Sequence, residues 1–440
     1  MDGVAVGEAG HPSPGLIHIW SGKHTIRTRY LAYFGPAILA SVAYIDPGNI
    51  AADLDAGAGF GYLLLWAVML TNCMAILLQY LSGKIGIATG KSLAELVHDS
   101  LQTRWKVLTY WVACECFALV TDLAEFLGVT FAIFLLSNGA ISLLVAAWIG
   151  AFDVVLVFFL AGSKFRRIEI AVCTMVLGVA MGYVYEMFLA GPSWGAVARG
   201  AFIPVFSNAT ELVVVVAIVG ATVMPHTLVL QSYLTKNKVV GMDLAERQKL
   251  LRYHRWDTIV NLGFAGAIQV GILVMAAAAF FVVTNANGGL TLNDAYYTLI
   301  PLFGFAAATI FALTLLFSGL SASTVGVLAG QALFEGLLGS KVNPWLRRIV
   351  LRVINVVPAS VAILLGMSPI LLLIYSQVAL SLLIPLPLIP LIWYTSRKKF
   401  MGSFFVNRPY ITILAVLSGV TILVLNVLLL LSAGGVNVPV

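Results

Sequence analysis

Residues 41–54 read SVAYIDPGNIAADL and place Asp46, Pro47, Gly48 and Asn49 inside an apolar run. Proline removes a backbone hydrogen-bond donor and clashes with the preceding turn, and glycine weakens a helix further. At membrane depth such a break is tolerated only where the freed backbone groups face protein or a water-filled cavity. The stretch therefore predicts a broken membrane helix, and the ionisable residue at its break indicates a functional site. The alternative is a proline kink whose aspartate reaches the membrane surface.

A second apolar run is interrupted in the same way. Residues 211–234 read ELVVVVAIVGATVMPHTLVLQSYL, with Met224, Pro225 and His226 in the middle. Each break opens a group of about five apolar segments, and two interrupted segments in corresponding halves of a chain point to a transporter's substrate site. The pattern therefore predicts an inverted repeat.

The composition indicates an integral membrane protein. Hydrophobic residues make up 60% of the 440 residues and charged residues only 10%, far from the balance of a soluble domain. The net charge of +6 could suggest a nucleic-acid partner, but the basic residues fall in short loops between apolar segments, so none is expected. Eleven segments are long enough to cross a bilayer: 30–54, 60–81, 107–136, 141–161, 169–190, 211–234, 257–283, 304–333, 349–366, 369–394 and 409–432.

Lysines and arginines predict the orientation, because they concentrate in cytoplasmic loops. In an eleven-helix arrangement 24 of the 25 basic residues fall on one side, and only Arg199 falls on the other. We therefore expect a multi-pass protein of the cell membrane with a cytoplasmic N-terminus and an external C-terminus. The predicted divisions are a disordered cytoplasmic tail at 1–28, a first repeat at 29–195, a second repeat at 205–396, and a last helix with the external C-terminus at 405–440.

The polar groups at the two breaks suit a borderline cation. Asp46 offers an anionic oxygen, Asn49 an amide oxygen and Met224 a thioether, while unwinding frees carbonyls, with Ala43 and Ala221 the best placed. Thioethers favour softer transition metals, whereas Mg²⁺ and Ca²⁺ prefer oxygen alone. The alternative is that Met224 only packs.

The third apolar segment carries three carboxylates. Glu115, Asp122 and Glu125 are separated by seven and three residues, which places them along one face of a helix. Carboxylates on one face inside a membrane must meet water, partners or protons. The spacing therefore favours a proton path, and the alternative is a structural network of ion pairs.

The chain resembles the NRAMP family of proton-coupled divalent-metal transporters, which has the inverted-repeat architecture of the LeuT superfamily. The resemblance rests on YIDPGNIAADLDAGAGFGYLLLW at 44–66, TDLAEFLG at 121–128, GATVMPH at 220–226, SQVALSL at 376–382 and TSRKKFMG at 395–402. It implies an all-α membrane protein of about eleven helices with a 5+5 inverted repeat, in which the first and sixth helices are broken.

The resemblance also implies metal ligands. Asp46, Asn49 and Met224 match the family's ligands, assisted by the carbonyls of Ala43 and Ala221. Gln377 matches a tenth-helix residue that joins the metal in some states. Relatives that carry magnesium or aluminium lack the methionine, so the chain resembles the manganese and iron branch.

For protons, the resemblance implies a route that starts at Asp46, passes near His226 and continues along the three carboxylates. The family pairs these carboxylates with arginine in the ninth helix, for which Arg352 is the candidate, and Gln79 is a polar neighbour of the route. Many relatives carry a second histidine where this chain has Gln231, which puts a two-histidine relay in doubt.

The predicted function is a proton-coupled symporter that imports Mn²⁺, Fe²⁺ and similar ions by alternating access. We expect that the chain is not an enzyme and that it needs no resident cofactor. Its expected partners are divalent metal ions, protons and the lipid bilayer, and no obligate protein partner is expected. An organic-solute or sodium-coupled symporter of the same architecture is the alternative. A receptor or intramembrane enzyme is disfavoured because the sequence has no HExxH signature, phosphate loop or nucleophile elbow.

Overall fold

The computed structural model describes residues 43–153, 165–205, 208–287, 305–340 and 343–434. Throughout these ranges the regular structure is helical. The predicted tail at 1–28 and most of the first predicted helix lie outside the described residues. In chain order the helices are α1 Pro47–Phe60, α2 Leu65–Thr89, α3 Leu93–Leu101, α4 Arg104–Leu136, α5 Leu143–Gly150, α6 Phe165–Ala190, α7 Trp194–Phe202, α8 Ala209–Thr222, α9 Pro225–Lys236, α10 Leu244–Asn287, α11 Phe305–Leu338, α12 Pro344–Leu364, α13 Pro369–Leu383, α14 Pro385–Thr395, α15 Lys398–Phe405 and α16 Pro409–Ala433.

Seven helical stretches among the described residues are long and apolar enough to cross a membrane. They correspond to the second, third, sixth, seventh, eighth, tenth and eleventh predicted segments, and two shorter apolar helices at Leu177–Ala190 and Ile349–Leu364 correspond to the fifth and ninth. The first and fourth predicted segments lie partly outside the described residues. The structure therefore bears out an all-α, multi-pass membrane protein.

Both predicted helix breaks are present. Asp46 is the N-cap of α1, which begins at Pro47. Val223 and Met224 separate α8 from α9, which begins at Pro225. Proline suits the first position of a helix because the missing N–H would have no partner there. The prolines that interrupt the apolar runs thus restart a helix immediately after each break.

The second broken helix lies in the centre of the molecule and the last helix at its periphery. The apolar window of Ala209–Lys236 is 94% buried, whereas that of Pro409–Ala433 is 33% buried. α1 packs against α8, α10 and α13, so the two breaks are neighbours. α4 packs against α11, α12 and α13 along its length. The division into repeats at 29–195 and 205–396 stays a prediction.

The differences from the sequence-based prediction include one helix boundary and one additional helix. α10 begins at Leu244 rather than near 257, because charged helix formers extend the helix beyond its apolar part. The short helix α3 was not predicted, although it has a capping box in which Ser92 and Glu95 bond to each other's backbone N–H.

Candidate functional site

The carboxylate of Asp46 is held at the start of α1. Its Oδ1 accepts a hydrogen bond from the backbone N–H of Asn49 at 2.9 Å, and its Oδ2 accepts one from Gly48 at 3.2 Å. The residue is 3% exposed. A helix N-terminus stabilises an anion through its free N–H groups and its dipole. The break therefore supplies a fixed, buried carboxylate.

The side chain of Asn49 joins the two breaks. Its Nδ2 donates to Asp46 Oδ1 at 2.9 Å and to the backbone carbonyl of Ala221 at 2.8 Å. The hydroxyl of Thr222 lies 3.4 Å from Asn49 Oδ1. Residues that are 172 positions apart in the sequence thus form one polar cluster.

Met224 and Ala43 complete the groups at the breaks. Met224 is the N-cap of α9, and its backbone carbonyl accepts a hydrogen bond from Thr227 at 2.9 Å. Met224 and Ala43 are each 1% exposed. Met224 lies in the non-helical backbone between α8 and α9, and Ala43 is a helical residue next to the turn that leads to Asp46.

Gln377 of α13 lies directly against both broken helices. A Cβ atom added at Gly48 would collide with the amide of Gln377, and one added at Gly220 would collide with its backbone carbonyl. The Oε1 atom of Gln377 is buried and has no hydrogen-bond partner among the described residues. Because Gly48 and Gly220 have no side chain, Gln377 can approach both breaks closely, and its Oε1 atom is buried near them.

This set of donors mixes hard and soft atoms. No group of three or more His, Cys, Asp and Glu side chains gathers in the described ranges in a way that could hold a metal ion. The groups near the breaks are instead one carboxylate, amide and backbone oxygens, and one thioether. Such a mixture suits a borderline divalent ion better than Mg²⁺ or Ca²⁺. The assignment of these residues as ligands stays a prediction.

The carboxylates on α4 meet arginines from α12. Glu115 pairs with Arg347, both being partly buried. Asp122 lies 3.5 Å from Arg352, and its backbone carbonyl accepts a hydrogen bond from the same guanidinium at 3.3 Å. Sequence reasoning proposed Arg352 as a partner but missed Arg347. The available signal was that Arg347 is a basic residue five positions before Arg352, just outside the predicted segment 349–366.

Asp153, for which the sequence suggested no role, is the nearest carboxylate to Arg352. Their charged atoms are 2.7 Å apart, and both side chains are almost completely buried. Ser323 donates to the same Asp153 oxygen at 3.1 Å, and Asn355 donates to Asp122 at 2.8 Å. Arg352 therefore holds α4, α12 and the segment after α5 together.

A cavity of about 20 Å³ lies next to this network, which is enough space for one water molecule. Its lining includes Asp122, Glu125 and His226, so the structure brings these three predicted residues together. Thr121, which also lines it, lies 3.2 Å from the Nδ1 atom of His226.

Gln79, which was predicted to neighbour the proton route, and Gln231, which replaces a histidine of many relatives, do not line this cavity. Gln79 donates to Thr227 at 2.6 Å and to the hydroxyl of Tyr44 at 3.1 Å, so it connects α2 to both breaks. Gln231 is completely buried, and its two side-chain polar atoms have no hydrogen-bond partner among the described residues. Which of these residues conduct protons stays a prediction.

Comparisons with known proteins place this geometry in context. The family described as "Nramp: Natural resistance-associated macrophage protein-like" matches residues 37–432. The divalent metal cation transporter MntH of Acidiphilium cryptum is 40% identical over 411 residues, covering 93% of this chain and 92% of the relative.

Two solved structures resemble the fold. The crystal structure of the Eremococcus coleocola manganese transporter with an aromatic bis-isothiourea substituted compound has a TM-score of 0.81 at 28% identity, covering 92% of this chain and 87% of that chain. Mhp1, a nucleobase-cation-symport-1 family transporter in a closed conformation, has a TM-score of 0.55 at 17% identity, covering 90% and 88%. Together with the two broken helices, these likenesses confirm the predicted fold class.

Proposed function

Because the chain belongs to the Nramp family, we propose that it imports divalent transition metal ions such as Mn²⁺ and Fe²⁺ across the cell membrane. The observation that carries the proposal is the bridge made by Asn49 between Asp46 and Ala221. It brings an anionic oxygen and the backbone carbonyl of Ala221, near the end of α8, together at the meeting point of two broken helices. The names of the relatives, which are transporters, support transport rather than an enzymatic reaction.

In this proposal the ion binds beside the amide of Asn49. Its Nδ2 atom lies 2.9 Å from Asp46 Oδ1 and 2.8 Å from Ala221 O, so a partial positive charge now lies between the two proposed oxygen ligands. Rotation of the amide by half a turn would present Oδ1 to a cation instead. The thioether of Met224 and the amide oxygen of Gln377 would complete the set, with the Ala43 carbonyl assisting.

We propose proton coupling along the carboxylates of α4. A proton released at Asp46 would pass the cavity lined by His226 and Glu125 and continue toward Asp122 and Glu115. The contacts of Arg347 with Glu115 and of Arg352 with Asp122 support the proposal. A carboxylate that is paired with an arginine can accept a proton when the guanidinium moves away, so that the proton replaces the arginine as its positive partner. With a negative cytoplasm, the membrane potential adds about 2.3 kcal/mol per charge per 100 mV to cation uptake.

The transport cycle that fits the broken helices is alternating access. In this proposal the half-helices at the two breaks and α13 close the site toward one side of the membrane while it opens toward the other. The proposed orientation has a cytoplasmic N-terminus and an external C-terminus, supported by the distribution of lysines and arginines.

Reconstitution into liposomes tests the proposal. We expect Mn²⁺ outside the liposomes to enter, reported by an internal metal-sensitive dye, together with acidification reported by an internal pH dye. The variant Asp46→Ala should lose both signals, while Asp99→Asn, at an exposed site on α3, should retain both. Robust uptake by Asp46→Ala would contradict the metal site. Metal uptake without acidification in the unmodified protein would instead remove the proton coupling, and sodium-dependent uptake of an organic solute would favour the alternative symporter.

A further inference from the structure

Two glycines on α11 face the charged side chains of α4 and α12. Gly326 and Gly330 are four residues apart and therefore lie on the same face of the helix. A Cβ atom at Gly326 would lie 2.7 Å from Glu125 Oε1 and 3.2 Å from Oε2. A Cβ atom at Gly330 would collide with the guanidinium of Arg347. The backbone of α11 thus approaches both side chains more closely than any other residue would permit.

The same two glycines line the cavity beside Glu125. Asp122, His226 and Thr121 contribute polar groups to its wall, and its volume of about 20 Å³ suits one water molecule, which needs two to four polar partners. A polar cavity of this size, in contact with a buried carboxylate, can hold such a water.

We propose that Gly326 and Gly330 are positioning residues for proton transfer, because the absence of their side chains keeps a one-water site open between the carboxylate of Glu125 and the wall formed by Thr121 and Asp122. The inference rests on the proton coupling proposed above and adds to it the residues that shape the path. A proton delivered to this water passes to the carboxylate of Glu125, so that one O–H bond breaks while another forms and no other atom is exchanged.

Adding a methyl group at either position acts through a different partner. Gly326 and Glu125 both line the cavity, so with alanine at 326 the added methyl group and the carboxylate that it displaces compete with the water for this space. With alanine at 330, the guanidinium of Arg347 must move away, which separates it from Glu115. Neither change touches Asp46, Asn49 or Met224, so metal binding should persist.

The experiment measures Mn²⁺ uptake and internal acidification in the same liposomes. Gly326→Ala and Gly330→Ala should each lower the acidification per Mn²⁺ ion at least fivefold and leave the Mn²⁺ dissociation constant within twofold. The matched control is Gly263→Ala on α10, where an added Cβ meets no atom within 4 Å and both quantities should stay unchanged. Calorimetric Mn²⁺ binding shows that each variant is folded.

Shortening the opposing side chain distinguishes this mechanism from general damage to α11. Glu125→Asp in the Gly326→Ala background, or Arg347→Lys in the Gly330→Ala background, should recover at least half of the lost acidification in one or both pairs. Full acidification by both alanine variants would overturn the inference, and so would a loss that neither pair recovers. If the unmodified protein takes up Mn²⁺ without acidification, the proposed proton coupling fails and the inference about the glycines fails with it. That result is distinct from normal acidification in the unmodified protein and in both alanine variants, which overturns only the inference.

Discussion

Replacing Asp153 with alanine should destabilise the protein far more than the loss of an ordinary ion pair. Its carboxylate lies 2.7 Å from Arg352, and the two side chains are 1% and 3% exposed. The substitution leaves Asp122, at 3.5 Å, as the remaining ion-pair partner of the buried guanidinium among the described residues and removes one acceptor for the hydroxyl of Ser323.

The expected magnitude follows from burial. Removing one partner of a buried ion pair costs about 3–5 kcal/mol when the other charge is left uncompensated. Arg352 keeps Asp122 at 3.5 Å, so we expect a loss near the lower end of this range. Asp153→Asn keeps the shape and one acceptor oxygen but exchanges a charged hydrogen bond for a neutral one, so we expect a loss of about 1–2 kcal/mol. The free energy of unfolding should therefore fall more in Asp153→Ala than in Asp153→Asn.

The pair formed by Lys91 and Asp99 provides a matched control. Its charged atoms are also 2.7 Å apart, but the side chains are 53% and 48% exposed. Exposed ion pairs contribute less than about 1 kcal/mol, so Asp99→Ala should change stability little. The assay is denaturant or thermal unfolding of the purified protein in detergent. If Asp153→Ala lowers the free energy of unfolding no more than Asp99→Ala does, burial does not increase the contribution of this ion pair to stability, and the reasoning is wrong.

Three further outcomes are expected. Met224→Ala should admit Ca²⁺ and Mg²⁺ in liposome uptake assays, and an unchanged selectivity profile would remove the thioether from the proposed site. Gly48→Ala should weaken Mn²⁺ binding by about tenfold or more, as overpacking against Gln377 costs about 1–3 kcal/mol; calorimetry that gives an unchanged affinity would show that Gln377 moves away without consequence. Glu95→Gln should destabilise the protein by about 1 kcal/mol, because it weakens the ion pair of Glu95 with Lys236 at 2.5 Å. A double-mutant cycle of the two residues measures this contribution, and a coupling energy of zero would contradict it.

The helix breaks could be predicted from the sequence because their cause is local. Proline and glycine inside an apolar run weaken a helix regardless of what surrounds them. The beginning of α10 could not be placed from hydropathy, since Leu244 and the charged residues after it form helix without being apolar. Apolar runs indicate where a chain crosses a membrane, and helices extend past that region.

The charge network was only partly predictable because its partners are distant in the sequence. The spacing of Glu115, Asp122 and Glu125 along one helix face can be read from the sequence, but Asp153 and Arg352 are 199 positions apart. Nothing in the segment around Asp153 indicates which basic residue forms an ion pair with it. Similarly, the space that Glu125 requires depends on Gly326, and a glycine inside an apolar helix gives no sign of which neighbour approaches it.

The pairing of α4 with α12 has a consequence for biogenesis. A charged residue at the centre of a membrane helix costs about 2.5–3.5 kcal/mol during insertion, and Arg352 lies within the apolar part of α12. Only its part from Ile349 to Leu364 forms an apolar helix, and a short one. Asp122 precedes Arg352 by 230 positions, so the ribosome delivers the carboxylates first. We therefore expect Arg352 to meet its counter-charges already in the bilayer, and integration of α12 to depend on α4 being retained near the insertion site.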